Sequence, residues 1–321
     1  MLEPRNIGIL GSTGFVGSTI ARSFTTAQGF NSRTVGEAEN ANFETLYCAA
    51  APGSMFEANR YPERDAKRID ALIASISRMH TERFVLISTI AVLDAFDAGR
   101  TETDHRYQET TPYGVNRRRL EAACHAHFPR CLVVRLPALF GPGLAKNFIF
   151  DLINPMPTML NEKAYQTLQS GLSASLLPSL ETIYALDTTL GMYVINRAAL
   201  STQPDGEALT AEADQLGINA MMFHNRETTF QFYDMSRLVD DIDLALGAGL
   251  DVLHLAPAPL KTSGIYSALK GHEMPETHGR VHNEDMRTLH AQLWGRNGPY
   301  MNRPEDVLDT LTPFFNAELE R

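Results

Sequence analysis

The sequence predicts an α/β fold built on a doubly wound parallel sheet, and three observations carry that prediction. A short apolar strand, Ile7–Leu10, runs into Gly11-Ser12-Thr13-Gly14-Phe15-Val16-Gly17 and then into a helical pattern. The further strand candidates are mostly short apolar runs without alternation, as expected of parallel strands covered on both faces. Helical patterns separate them, and alternation of strand and helix marks a doubly wound sheet.

Taken in order, strands are expected at Ile7–Leu10, weakly at Gly29–Ser32, and at Thr45–Ala49, Arg83–Ser88, Leu132–Leu136 and Val252–Leu255. Between them, Asp65–His80 places Ile69, Leu72, Ile73, Ile76 and Met79 on one helical face. Tyr113–His127 aligns Leu120 with Cys124, and Ser236–Ala248 aligns Leu238, Ile242, Ala245 and Leu246. Gly141-Pro142-Gly143 breaks the pattern. Residues 144–228 are rich in Asn, Thr, Met and Pro and read as irregular, with a surface turn over Thr202–Gly206. Alternation returns near Phe230 and runs to Leu255, and Pro304-Glu305-Asp306 suits the start of a last helix. The expected organisation is a first domain of residues 1–143 plus about 229–256, and a smaller, irregular C-terminal lobe of 144–228 plus about 257–321.

Composition narrows the function. A net charge of −10 argues against nucleic acid or an anionic membrane as partner. No apolar run approaches the ~18 residues that span a bilayer, and no basic, apolar leader precedes the first strand. Cys48, Cys124 and Cys131 form no Cys-x-x-Cys pair, so buried thiols in a reducing cytoplasm are expected. Ten histidines form no metal-like cluster; His125 and His127, two apart, point in different directions on a helix. No metal is expected.

The chemistry is expected at the ends of the strands. Gly11 suits a tight turn, Gly14 close approach to a pyrophosphate, and Gly17 close helix packing, with the helix N-terminus presenting N–H groups to phosphate. This is the pattern of a Rossmann-type, dinucleotide-binding domain. Arg83–Thr89 carries hydroxyls to the C-terminal end of a central strand, where such sheets bind ligands. Downstream, Tyr113 and Arg117 stand at i and i+4 and face the same way. A fixed cation beside a phenol favours phenolate and lowers its pKa, which suits proton transfer to or from a carbonyl or alcohol.

In these motifs the chain resembles the extended short-chain dehydrogenase/reductase family, the NAD(P)-dependent epimerase/dehydratase group. Leu10–Gly17 matches its cofactor loop, Ser88–Val92 the strand end bearing its catalytic Ser or Thr at Thr89, and Tyr113–Arg117 its Tyr-x-x-x-Lys. Arg135–Gly143, Phe232–Leu238 and His254–Ala256 match later segments, so that the resemblance covers about residues 5–145 and 228–270. It implies a catalytic set of Thr89, Tyr113 and Arg117. It also implies a cofactor site of Gly11, Ser12, Thr13, Gly14, Phe15, Val16, Gly17, Asn31, Ser32, Arg33, Ala49, Ala50, Tyr113, Arg117 and Pro137. The C-terminal lobe would then bind a small-molecule substrate, and a homodimer is a further expectation of the family.

Four departures qualify the resemblance. Arg117 replaces the lysine that bonds the nicotinamide ribose and keeps the tyrosine acidic; its fork is bulkier and not equivalent to a point charge. The stretch from Gly17 to Thr89 is short for the family, as if a strand–helix unit were trimmed between the second strand and Thr45. The second strand ends in Asn31-Ser32-Arg33 without an acid, which favours NADP over NAD. Ala138 and Phe230 stand where nucleotide-sugar enzymes of the family usually carry Asn and often Arg, which argues against an ordinary nucleotide-sugar substrate. The expected function is an NAD(P)-dependent oxidoreductase or epimerase acting on a carbonyl or secondary alcohol, sugar-derived or otherwise. A non-catalytic NAD(P)-binding sensor on the same fold is the alternative, and a scaffold with a vestigial loop a third reading.

Overall fold

The computed structural model describes residues 6–321; residues 1–5 of the expected first domain lie outside them. The chain divides into two compact units. The first runs through Leu144 and takes in Phe230–Leu260 and Asn283–Leu311. The second comprises Ala145–Thr229, Lys261–His282 and Thr312–Arg321. Asn283–Leu311 thus lies with the first unit, although the sequence suggested the lobe for all of 257–321. Met301 and Trp294 pack into the first unit's core, an attachment that no local pattern announces.

The first unit is organised around β1 (Ile7–Leu10), β2 (Gln28–Phe30), β3 (Asn42–Cys48), β4 (His80–Thr89), β5 (Cys131–Leu136) and the strand Val252–His254. Their spatial order is Val252–His254, β5, β4, β3, β1, β2, with every pairing parallel. Period-two geometry sends alternate side chains to opposite faces. Val85, Ile87, Leu132 and Val134 join one core cluster, and Phe84, Leu86, Cys131 and Val133 the other. Both faces are therefore covered, which is why these strands read as continuous apolar runs.

Between β2 and β3 the chain makes only the 3-10 turn Val35–Asn40, and β3 pairs with β1 instead of extending the sheet beyond β2. The strand–helix unit that the short spacing suggested was missing is absent from the described residues. β6 (Ala138–Phe140) pairs in parallel with Phe232–Asp234 beside the main sheet.

Helices flank the sheet: α1 (Phe15–Arg22), α2 (Met55–Arg60), α3 (Pro62–Ile76) and α4 (Pro112–His127). α3 starts three residues before the sequence estimate because Pro62, at the first helical position, needs no N–H partner. It ends at Ile76, so Met79 is buried from the connection and His80 already belongs to β4.

The second unit is more regular than its sequence suggests. It holds Phe148–Ile153, Glu162–Gly171, Leu177–Ile183, Arg197–Thr202 and Gly206–Gln215 as short helices, with Met159–Leu160, Met192–Ile195 and Tyr184–Asp187 as an antiparallel sheet. Three of the asparagines that made the stretch look irregular are helix caps. Asn147 accepts from the N–H groups of Ile149 and Phe150, Asn161 from Ala164 and Asn196 from Ala199. Helices of at most ten residues are too short to display a sustained period. No helix among the described residues is long and apolar enough to cross a membrane.

Candidate active site

The site is built from the C-terminal edge of the parallel sheet. Register aligns Leu10 with Cys48, Cys48 with Leu86, and Thr89 with Leu136. The glycine loop, Ala49–Pro52, Thr89 and Pro137 therefore all leave the sheet at the same end.

Within the loop the three glycines differ in what forces them. Gly11 has φ +79°, and a Cβ there would stand 2.6 Å from the Ala49 carbonyl oxygen. A Cβ on Gly17 would collide with the Gly11 carbonyl; this glycine serves packing of helix on loop. Gly14 is different: its Cβ would meet only the Gly11 carbonyl oxygen, at an ordinary 3.5 Å. Nothing in the protein requires glycine there, and Gly14 caps α1 without a side-chain hydrogen bond. The first N–H groups of α1 thus face a cradle that a side chain would fill, which fits a phosphate-bearing ligand. Ser12 is already committed, its N–H and hydroxyl both donating to the Phe30 carbonyl (3.1 and 3.3 Å).

At the end of β2, Asn31 Oδ1 accepts from the backbone N–H of Arg33 (2.9 Å), a turn that leaves Ser32 and Arg33 exposed. Ala49 and Ala50 are half-buried beside Gly11, and Pro137 is half-buried after β5.

Thr89 ends β4 and caps the 3-10 turn Ile90–Val92, its Oγ accepting from the Ala91 N–H (3.2 Å). α4 starts directly against this turn. A Cβ on Gly114 would strike the Ala91 carbonyl, so glycine at this position is what lets the helix approach. Asn59 Oδ1, from α2, accepts from the Tyr113 N–H (3.0 Å) and ties down the helix start. Thr89, Tyr113 and Arg117 are brought together: the Thr89 hydroxyl stands near enough to the phenol to lower its pKa, and the Arg117 guanidinium carbon lies 4.2 Å from the centre of the Tyr113 ring.

The expected electrostatics need correction. Burial pushes the Tyr113 phenol above its ordinary value, outweighing the charge of Arg117 and the opposing influence of the Thr89 hydroxyl. Arg117 is also not a free cation. One terminal nitrogen pairs with Asp65 Oδ2 on α3, and the other donates to the Pro52 carbonyl. Asn116 Nδ2 donates to the same Asp65 oxygen at 2.8 Å. Sequence reasoning missed Asp65, Asn116 and Pro52; the one available hint was an acid just inside a helix otherwise built around its apolar face.

Behind α4 lies a buried polar support. Glu121 accepts from Ser88 Oγ (2.6 Å) and from Arg135 at Nε and a terminal nitrogen (3.0 and 2.8 Å). Arg135 also donates to His254 Nε2 (3.1 Å), whose Nδ1 donates to the Arg287 carbonyl (2.8 Å). Burial lowers the His254 pKa, which matches an Nε2 that accepts. This network fastens α4 to β4 and β5 and so helps fix where Tyr113 stands.

The model of the NAD dependent epimerase/dehydratase family matches residues 7–199, more than half of the chain. The chain belongs to that family. Solved structures share its fold at low sequence identity. RMD from Pseudomonas aeruginosa complexed with NADPH is 15% identical with a TM-score of 0.61, covering 99% of each chain. dTDP-4-dehydrorhamnose reductase from Bacillus anthracis in complex with NADP is 10% identical with a TM-score of 0.63, again over 99% of both chains. UDP-glucose 4-epimerase from Thermotoga maritima with UDP-glucose is 13% identical with a TM-score of 0.59, over 98% of this chain and 99% of the other. No curated protein matches the chain in sequence.

Proposed function

We propose that this protein is an NADP(H)-dependent oxidoreductase or epimerase acting on a carbonyl or secondary alcohol of a small molecule, sugar-derived or otherwise. The observation that carries the reading is the meeting of Thr89, Tyr113 and Arg117 at the sheet edge that also bears the glycine loop. Family membership, and the NADPH, NADP and UDP-glucose named for the similar structures, support the same class of chemistry. The cofactor would lie on Gly11–Gly17, with Ala49, Ala50 and Pro137 along the same edge and Arg33 beside the adenine-side 2′-phosphate; when bound, it supplies the hydride chemistry. Thr89 positions the substrate oxygen and Tyr113 exchanges a proton with it. Arg117 stabilises phenolate and would bond the cofactor ribose through N–H groups not used by Asp65 or Pro52. The second unit supplies the substrate lobe. The absence of Asn at 138 and Arg at 230 disfavours an ordinary nucleotide-sugar diphosphate.

One observation favours a second reading, a non-catalytic dinucleotide sensor: Arg117 is already paired and the phenol sits high. NADPH oxidation across a carbonyl panel separates the two. The enzyme reading expects slow turnover that Tyr113→Phe cuts by about 10²–10⁴-fold, the usual worth of general acid–base catalysis, with dinucleotide affinity kept. A wild type inert toward every carbonyl, switched on by Arg117→Lys, would establish the sensor reading.

A further inference from the structure

Arg117 is 3% exposed and Asp65 4%. Both terminal nitrogens of the guanidinium are directed, one to Asp65 and one to the Pro52 carbonyl, while its buried Nε has no acceptor. The guanidinium is thus oriented by Asp65 and the Pro52 carbonyl. A lysine in this place would be a point charge needing no such alignment. A planar fork takes its orientation from acceptors in its own plane. Asp65 is itself held from a second direction by Asn116.

We infer that Asp65 is a positioning residue for the reaction proposed above. It holds the Arg117 guanidinium against the Tyr113 ring, and its charge offsets the pull of Arg117 on the phenol. The inference rests on the assignment of Tyr113 as proton carrier.

The remaining charges around Tyr113 do not serve the same purpose. From α2, Glu57 pairs with Arg68 of α3 (3.7 Å), and Arg60 lies against the Phe56 and Tyr61 rings. From α3, Arg64 and Arg68 line the small cavity that Asp65 also borders. On α4 itself, Arg118 pairs with Glu121 and Arg119 with Asp70. The loop before α4 carries Asp94, Arg100, Asp104 and Arg106, which pair among themselves, with Asp97, Glu102, His105 and exposed Glu109; none of these acts on the phenol, and the end of β4 contributes the neutral Thr89. The charges that act on the phenol are Arg117, which favours phenolate, and Asp65, which opposes it.

Two variants test this. Asp65→Asn keeps the shape and removes the charge. An ultraviolet difference titration, with the matching Tyr113→Phe background subtracted, reads the Tyr113 phenol alone and needs no turnover. Its midpoint should fall by about one pH unit or more, the scale of a nearby charge, and the alkaline limb of kcat/KM should move with it. Asp65→Glu keeps the buried charge and is the variant expected to fold. It displaces the carboxylate by one methylene, so kcat should fall at least tenfold while substrate KM stays. An unmoved midpoint in Asp65→Asn, or an unchanged kcat in Asp65→Glu, overturns the assignment. If the midpoint moves as expected but Tyr113→Phe retains full turnover, it is the proton-carrier reading that fails.

Discussion

Gly114→Ala is the sharpest test of how the site is assembled. A Cβ at this position would stand inside contact distance of the Ala91 carbonyl and 2.7 Å from Gln108 Cγ. A side chain such as Gln108 can swing aside, but the carbonyl cannot. The turn that carries it is buried, with Ile90 5%, Ala91 3% and Val92 0% exposed, so α4 must retreat instead. Overpacking of this kind costs about 1–3 kcal/mol, and alanine's helix preference returns at most ~1, less so near a helix start. The expected net loss is about 1–2 kcal/mol, read by chemical denaturation as a lower midpoint. The same retreat draws Tyr113 away from Thr89, and a displacement near 1 Å can cost about a hundredfold in rate. NADPH affinity should fall far less than turnover, because the glycine loop that carries the pyrophosphate lies on another strand and α4 contributes only the contact of Arg117 with the ribose. A variant as stable and as active as wild type would show that α4 is not held against the Ala91 turn, and the assembly described above would be wrong.

Other outcomes follow from the same geometry. Gly14→Asp places a carboxylate in the cradle beside the first N–H groups of α1 and should abolish NAD(P)H binding in a fluorescence titration without unfolding the protein. Arg33→Ala should reduce the preference for NADPH over NADH by roughly ten- to hundredfold, the worth of one charge-assisted contact of about 1.5–3 kcal/mol; unchanged discrimination would remove Arg33 from the site. The Arg303 side chain, with its backbone N–H, holds the Asp306 carboxyl down to about 2, against ~3.9 for a free aspartate. A depressed folded-state value stabilises above the unfolded value and is lost as pH falls through the folded one. The stability difference between wild type and Asp306→Asn should therefore be constant above pH ~4 and shrink toward pH ~2, as measured by denaturation across that range.

Local order was readable from the chain wherever it depended on neighbours in sequence. The strand–loop–helix start, the apolar strands and the i, i+4 pairing of Tyr113 with Arg117 rest on periodicity, glycine geometry and spacing, which a linear chain displays. The trimmed region after α1 also showed as a short spacing, and the structure explains it by β3 pairing directly with β1. What the chain could not display was which distant groups surround these residues. Arg117 meets Asp65 only because α3 packs beside α4, and Glu121 meets Arg135 and Ser88 only because α4 lies on β4 and β5. The phenol's environment changed accordingly: from spacing alone Arg117 is a cation that lowers the Tyr113 pKa, but burial and Asp65 exist only in the folded protein and push it up. Sequence by itself determined the residue types and their local spacing. Tertiary packing decided their partners and exposure, because desolvation and ion pairing depend on distance in space.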